Sequence, residues 1–152
     1  IAGRLLRDYG RLLHLLLNEG WANGRRLLSR DAVYRFWQDN VGSLPVIDPP
    51  PTATSPVLYG MGSWLDNTRP LTERPLIHSL GAFGFFPWVD FREGLYGIFM
   101  IRGQPGINVR GFDVYLDMLQ AIRDDVSSTQ CELVETVDDI FTEGMEGNGA
   151  PR

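Results

Sequence analysis

The chain has 152 residues, of which 43% are hydrophobic and 11% aromatic, with a formal net charge of −5; this composition is typical of one globular domain and excludes disordered and fibrous proteins. No apolar run approaches the roughly 20 residues that span a bilayer, and no basic stripe suited to nucleic acid is present. All 14 basic residues are arginine, which excludes lysine-dependent chemistry such as a Schiff base or a Ser-Lys pair within this sequence.

The first 40 residues predict two helices. A run of apolar residues follows the spacing of an amphipathic helix, and its members are Leu5, Leu6, Tyr9, Leu12, Leu13, Leu16 and Leu17. Gly20 is a suitable C-terminal stop for this helix. Ser29 is a suitable N-cap for a second helix near residues 30–39. The inward side chains of that second helix would be Val33, Phe36 and Trp37.

The middle of the chain predicts a Pro-rich loop followed by strands. Residues 43–56 contain five prolines and are incompatible with a regular helix or a central strand. Residues 59–65 favour a strand that contains two glycines. Residues 76–90 and 95–101 are rich in Val, Ile, Phe, Tyr and Trp, and they predict two neighbouring strands at the buried centre of a sheet.

The C-terminal part predicts a helical cover and an acidic tail. A helix is expected near residues 111–124, and its apolar face would consist of Phe112, Tyr115, Leu116, Leu119 and Ile122. Eight of the 19 acidic residues lie in residues 124–152, where apolar spacing at 133–141 favours a further short helix before a frayed end. The order helix, helix, loop, three strands, helix predicts an α+β fold, in which helices flank an antiparallel sheet.

Four local runs, taken in order, resemble one known family. They are Asp8-Tyr-Gly-Arg11 with Leu15-Leu-Leu-Asn18-Glu-Gly20, Gly24-Arg-Arg-Leu-Leu-Ser29, Tyr59-Gly-Met-Gly62, and Gly81-Ala-Phe-Gly84 with Trp88-Val-Asp90 and Gly94-Leu-Tyr-Gly97. Together they resemble the C-terminal portion of the serine β-lactamase-related family, which includes class C β-lactamases, DD-peptidases and related esterases. The resemblance implies that residues 1–123 are the C-terminal part of a β-lactamase-like domain and that residues 124–152 are an acidic tail.

The chemistry of this family combines three elements, and the resemblance implies that this chain holds one. The family uses a Ser-x-x-Lys nucleophile, a tyrosine or serine element for proton transfer and a K-T-G-like strand. The chain has no lysine, and no tyrosine is followed two residues later by asparagine. The candidates for the third element are His78, Ser79, Leu80 and Gly81. His78 and Ser79 would orient the substrate's carboxylate or carbonyl, and the backbone N–H near Gly81 would be one arm of the oxyanion hole. Leu80 stands where the family has glycine, so the register of this match stays open by a residue or two.

Plainer interpretations of the same residues also stay open. A histidine at the position of His78 is often a hydrogen-bonded structural group, and Ser79 lacks a base partner in any recognised motif. His14 lies in a leucine-rich helix, where packing is the ordinary role. With two histidines and the single cysteine Cys131, the sequence has no metal-ligand spacing and no internal disulfide. We expect no metal and no cofactor.

Two hypotheses follow for function. The first is the C-terminal segment of a longer serine hydrolase that cleaves a small-molecule ester, lactam or peptide through an acyl-enzyme. The missing N-terminal portion of the same fold would then supply the nucleophile, and this chain alone would be inactive. The second hypothesis is a non-catalytic binding or interaction module derived from that fold, with the acidic tail facing its partner. A periplasmic or extracellular location is suggested by the family resemblance alone.

Overall fold

The computed structural model describes residues 2–47, 49, 57–66, 74–81, 84–101 and 108–128. In chain order, the elements within these ranges are α1 (Ala2–Leu17), β1 (Trp21–Ala22), β2 (Arg25–Arg26), α2 (Arg30–Tyr34), β3 (Leu58–Tyr59), β4 (Trp64–Leu65), β5 (Leu76–His78), β6 (Phe85–Asp90), β7 (Leu95–Met100) and α3 (Asn108–Ser128). The predicted helix at 133–141, the predicted frayed end and most of the Pro-rich stretch lie outside the described residues.

Strands β3 to β7 form one antiparallel sheet in which every strand lies beside its neighbour in the chain. β6 and β7 pair along their whole length. β5 lies between β4 and β6, and Ile77 is paired with Leu65 on one side and with Val89 on the other. A separate two-stranded hairpin, β1 and β2, follows α1. The predicted α+β class, with helices flanking an antiparallel sheet, is confirmed.

The two faces of the sheet contact different helices, because successive residues of a strand point to opposite sides. One hydrophobic cluster joins the sheet to α1 and α2, and its buried members are Leu13, Leu16, Val33, Trp37, Leu65, Ile77, Val89 and Phe91. The other cluster joins the sheet to α3, and its buried members are Leu76, Phe86, Trp88, Tyr115 and Leu119. The strands are therefore apolar on both sides, which explains why β6 is a nearly continuous hydrophobic run.

The predicted C-terminal stop of the first helix and the predicted N-cap of the second helix are confirmed. After α1, Glu19 (φ 50°) and Gly20 (φ 91°) take left-handed backbone conformations that end the helix. Glycine is required at this position because a Cβ on Gly20 would lie 2.2 Å from the carbonyl oxygen of Leu28. The hydroxyl of Ser29 accepts a hydrogen bond from the N–H of Ala32 at 3.1 Å and caps α2.

A buried ion pair fixes α3 against the sheet. Asp90 ends β6 and is 1% exposed. Its Oδ2 accepts a hydrogen bond from Nε of Arg123 on α3 at 3.0 Å. Its Oδ1 accepts from the backbone N–H groups of Arg92 and Glu93, both at 3.2 Å. One carboxylate therefore joins the turn between β6 and β7 to the helix that covers it.

The predicted bounds of the strands and of the second helix are wrong. Residues 59–65 form β3 and β4 rather than one strand, because Gly60 donates to the carbonyl of Ser63 at 2.8 Å in a tight turn. Residues 76–90 form β5 and β6 rather than one strand, because Gly84, which takes φ 82°, donates its N–H to the carbonyl of Gly81 at 3.0 Å and the two strands pair antiparallel. The second helix ends at Tyr34 rather than near residue 39.

The apolar face of α3 agrees with the prediction in part. Tyr115 and Leu119 are buried, and Ile122 packs against them. Leu116 is 44% exposed, whereas Met118 contacts the buried cluster. The described part of this face therefore contains Met118 in place of Leu116, and the side chain of Phe112, which was also predicted for this face, lies outside the described residues.

Candidate active site

Residues 78–81, the segment that the resemblance implicates, run from the end of β5 into the turn that leads to β6. Ser79 donates its backbone N–H to the carbonyl of Pro87 at 3.0 Å, and Gly81 donates to the carbonyl of Phe85 at 3.1 Å. These two bonds continue the antiparallel ladder beyond β5. The predicted oxyanion donor was a backbone N–H near Gly81, and the N–H of Gly81 itself is engaged within its own hairpin.

Leu80 lies between these two bonded residues, so its backbone N–H points away from β6. Extending the pairing of Trp64 with His78 by two residues places Leu80 opposite Gly62, in the turn before β4. No backbone carbonyl among the described residues accepts the Leu80 N–H. Within residues 78–81, the N–H of Leu80 is thus a backbone donor that the hairpin of β5 and β6 does not engage.

His78 projects from the face of the sheet that α3 covers. Its ring lies nearly parallel to the ring of Tyr115, with an interplanar angle of 15° and a centroid distance of 6.2 Å. Burial lowers the pKa of His78 to about 4, although the negative charge of Asp66 acts in the opposite direction and raises it. Burial also raises the pKa of the Tyr115 hydroxyl above its usual value. At neutral pH the imidazole is uncharged, so it does not supply the positive charge that a lysine at this position would carry.

The opposite face of the sheet contains a cleft with a volume of about 80 Å³. Its walls come from α1, from Phe36 just after α2 and from the turn between β3 and β4, and its floor comes from β5 and β6. Most of its lining is aliphatic or aromatic, including Leu13, Leu16 and Val89. Ser79 also lines it. The cleft is therefore continuous with the segment of residues 78–81, and we call it the α1 cleft.

Ser63 is a residue of the α1 cleft that sequence reasoning missed. It is 7% exposed, and its hydroxyl has no hydrogen-bond partner within the described part of the chain. Its position is fixed by the preceding turn, where a Cβ on Gly60 would lie 2.3 Å from the carbonyl oxygen of Phe36. The glycines on either side of Met61 signal such a turn in the sequence. The burial of the hydroxyl depends on its tertiary neighbours and has no sequence signal.

His14 has a packing role, in agreement with its plainer interpretation. Its ring meets that of Tyr96 edge to face at 5.9 Å, and it is hydrogen-bonded to Asn18. Burial lowers its pKa. Among the described residues, no group of three or more His, Cys, Asp and Glu side chains is arranged to hold a metal ion. Nor is any described helix long and apolar enough to cross a membrane.

Comparison with known proteins identifies the fold. No protein-family model and no curated protein sequence matches the chain. A solved structure of a proposed β-lactamase from Bacteroides dorei is similar, with a TM-score of 0.56 and 27% identity over 65% of this chain and 32% of that one. A proposed 6-aminohexanoate-dimer hydrolase from Bacillus anthracis is also similar, with a TM-score of 0.58 and 22% identity over 81% of this chain and 29% of that one.

The chain thus has a β-lactamase-like hydrolase fold, and the resemblance to the serine β-lactamase-related family is confirmed. It spans about a third of the length of the solved structures it matches. By its fold, the chain is therefore part of a serine β-lactamase-like α+β domain.

Proposed function

We propose that this chain is the C-terminal segment of a serine hydrolase of the β-lactamase-related type. Residues 1–123 would form the C-terminal part of the catalytic domain, and residues 124–152 would be its acidic tail. In the proposed reaction a serine outside this sequence attacks the carbonyl of an ester, lactam or peptide, and water then releases the acyl group from the enzyme. The chain contributes one wall of the substrate site.

The orientation of the Leu80 backbone N–H is the observation that carries this proposal. The group points away from β6 towards the turn at Gly62, and that turn borders the α1 cleft. A backbone donor held in a sheet costs little reorganisation when negative charge develops on a carbonyl oxygen, which is the requirement for an oxyanion hole. We assign this role to Leu80 rather than Gly81, because the Gly81 N–H is donated to Phe85.

The remaining parts of the K-T-G-like element have different roles in the proposal. Ser79 lines the cleft and would orient the substrate. His78 would hold the end of β5 through its contact with Tyr115, since a neutral, partly buried imidazole is a poor partner for a carboxylate. Because the sequence has neither a lysine nor a Tyr-x-Asn motif, the isolated chain is inactive in this proposal.

The test uses the complete genomic reading frame that contains this sequence. We expect a fluorophosphonate probe to label a serine that precedes Ile1 and the protein to hydrolyse p-nitrophenyl butyrate. Leu80→Pro removes the N–H and should lower kcat by roughly 100-fold or more, as loss of one oxyanion donor does. Leu80→Ala keeps the N–H and is the matched control, for which we expect kcat within a few-fold of wild type.

Three results would contradict the proposal. They are labelling of Ser79 by the probe, equal activity of the Leu80→Pro and Leu80→Ala variants, and a complete reading frame without a Ser-x-x-Lys motif. The last result would favour the second candidate, a non-catalytic binding module. That candidate is supported by the same α1 cleft, because a cleft with a buried hydroxyl can bind a ligand without any nucleophile.

A further inference from the structure

Four exposed arginines lie around the carboxylate of Glu19. We call them the arginine cluster, and they are Arg25, Arg26, Arg30 and Arg74. Glu19 accepts from Arg30 at 2.7 Å through one carboxylate oxygen and from Arg74 at 3.0 Å through the other. Arg26 donates instead to the carbonyl oxygens of Glu19 and Leu28. Arg25 forms no ion pair, so the four guanidinium groups share one carboxylate among the residues that the structure describes.

Two large apolar side chains border the arginine cluster. Trp21 on β1 is 46% exposed, and Leu27, just after β2, is 50% exposed. The guanidinium of Arg26 lies over the Trp21 ring, 5.0 Å from its centroid. A surface on which arginine and aromatic side chains lie together suits a partner that is both acidic and apolar.

The direction of α1 places this cluster at one end of the sheet. The ring of Tyr9 meets that of Phe85, at the start of β6, and the ring of His14 meets that of Tyr96, near the start of β7. The helix therefore runs towards the turn between β6 and β7. Glu19 follows the helix and lies at this end of the molecule.

Arg74 shows that the cluster borders the same turn. The next residue, Pro75, accepts a hydrogen bond from the N–H of Phe91 at 3.3 Å. Phe91 is the first residue after β6, and it follows Asp90, the partner of Arg123 on α3. The arginine cluster therefore lies close to the part of α3 that contains Arg123.

The other face of the sheet brings the end of α3 to this place as well. Near the start of α3, Gly111 packs so closely on Ile101, directly after β7, that a Cβ would collide with its side chain. Arg123, much later in the helix, pairs with Asp90 at the end of β6. α3 thus runs in the same direction as α1, and its last residue, Ser128, lies at the end of the sheet that carries the cluster.

We propose that residues 132–146 bind the arginine cluster of the same chain and thereby join the helices on the two faces of the sheet across its end. This segment contains six acidic residues and no basic residue. Its carboxylates pair with guanidinium groups, whose planar forks of donors match them. Its apolar residues, such as Phe141, pack on Trp21 and Leu27.

The length of the chain after α3 allows this contact. A helix is about 10 Å across, so helix axes on opposite faces of a sheet are roughly 20 Å apart. An extended chain gains about 3.3 Å per residue, so the residues from 129 to 138 reach roughly 33 Å. The tether also raises the local concentration of the segment to about the millimolar range, which favours it over an acidic segment of another molecule.

The inference goes beyond the proposed function and does not depend on it. Arg74 precedes β5, whereas Ser79 follows the last residue of that strand, so the cluster and the candidate active site lie at opposite ends of β5. The bound segment therefore leaves the α1 cleft and residues 78–81 open to a substrate.

Photo-cross-linking of the complete polypeptide that contains this sequence tests the contact. p-Benzoylphenylalanine in place of Phe141 keeps an aromatic side chain and reacts, on irradiation, with C–H groups beside it. At an ionic strength of about 0.01 M, where the Debye length is about 30 Å, we expect cross-links within one molecule to chymotryptic peptides from residues 21–28. At about 1 M, where the Debye length is about 3 Å, the yield should fall several-fold.

Neutral variants of the segment test the role of its charges. Asp138→Asn combined with Asp139→Asn should lower the cross-link yield roughly threefold, as the loss of two exposed ion pairs allows. The matched control is Asp113→Asn combined with Asp117→Asn, which removes two exposed carboxylates of α3 outside the segment. We expect this control to keep the yield of the unmodified sequence.

The same comparison applies to the arginine cluster. Arg25→Gln removes the cluster arginine that forms no ion pair with a described residue, and we expect the yield to fall about twofold. Arg11→Gln is the matched control, because Arg11 is exposed on α1 and pairs with Asp8, and it should leave the yield unchanged. Both positions are exposed, so neither variant is expected to disturb folding.

The inference is overturned if no cross-link forms, if the cross-links map outside the cluster or if they mainly join two molecules into a dimer. A yield that is equal at both ionic strengths, or equal in the two pairs of aspartate variants, also overturns it. Its failure is distinguishable from failure of the proposed function, because cross-linking does not require catalysis. Cross-links at the cluster in an inactive complete polypeptide would overturn the hydrolase and leave this contact in place.

Discussion

At the scale of single residues, His78 couples stability to pH. Burial lowers its pKa to about 4 in the folded chain, against the usual value of 6.5. Between these values the unfolded chain binds more protons than the folded one, so stability is lost as the pH falls through this window. From pH 7 to pH 5 we expect this residue to cost about 2 kcal/mol of unfolding free energy.

Urea unfolding at both pH values measures this effect in wild type and in His78→Gln. Between pH 7 and pH 5, the unfolding free energy of the variant should fall by about 2 kcal/mol less than that of wild type, whatever its value at pH 7. His14→Gln is the matched control, because His14 is less buried and should change the pH dependence by a smaller amount. An unchanged pH dependence in His78→Gln would show that folding does not lower the pKa of the imidazole.

The residue scale also shows where sequence reasoning reaches its limit. The sequence places His78, Ser79, Leu80 and Gly81 in one segment, but it does not indicate which backbone N–H groups face the neighbouring strand. That choice follows from the pairing of β5 with β6, in which Ser79 and Gly81 donate inward. The alternation of an antiparallel ladder then turns Leu80 outward. A one-residue change of register would have reversed these assignments.

At the scale of elements, the pair of Asp90 and Arg123 holds α3 on the sheet. The carboxylate is nearly inaccessible to water, and the Arg123 side chain is 18% exposed. Removal of one partner from a buried pair leaves a charge without compensation. We therefore expect Asp90→Asn and Arg123→Met each to lower the unfolding free energy by about 3 kcal/mol.

A double-mutant cycle by urea unfolding tests this coupling. The double variant Asp90→Asn with Arg123→Met should lose less unfolding free energy than the two single variants lose together, by at least about 1 kcal/mol. The reason is that neither charge is left alone in the double variant. Hydrogen exchange of the α3 amides should quicken in both single variants. Strict additivity of the two changes would contradict a direct role of the pair in fixing the helix.

At this scale the strength of the local signals decides which elements could be predicted. The helical spacing of α1 continues over many residues, and Ser29 and Gly20 have conformational preferences that act locally. The two hairpins within residues 59–65 and 76–90 were missed because their turns are stabilised by contacts with other elements. Gly60 packs on Phe36, and Gly84 packs on Ile101, and neither neighbour is close in sequence.

At the scale of the whole molecule, β7 presents an open edge. Within the described ranges it pairs with β6 alone, and none of its six residues is charged or proline. An apolar edge strand of this kind is a template for pairing with another strand. We therefore expect the isolated chain to self-associate, with a weight-average mass that rises with protein concentration.

Light scattering after gel filtration measures this association, and Met100→Glu should reduce it because a charge on the edge strand opposes pairing. Met100 is half exposed at the end of β7. Leu44→Glu is the matched control, since Leu44 is exposed and apolar but lies outside the sheet. If both variants are monomeric to the same degree, association runs through general apolar surface and not through the edge.

Reasoning from residue order alone predicted the α+β class, the C-terminal stop of α1, the N-cap of α2 and the similarity to part of a serine β-lactamase-like domain. These features depend on periodicity, on local backbone preferences and on residue order, all of which act over short stretches of chain. Only the tertiary structure decided that Leu80 carries the outward N–H, that His78 is neutral beside Tyr115 and that Ser63 is buried in the α1 cleft. The physical reason is that strand register, desolvation and burial of a hydroxyl are set by neighbours distant in the sequence.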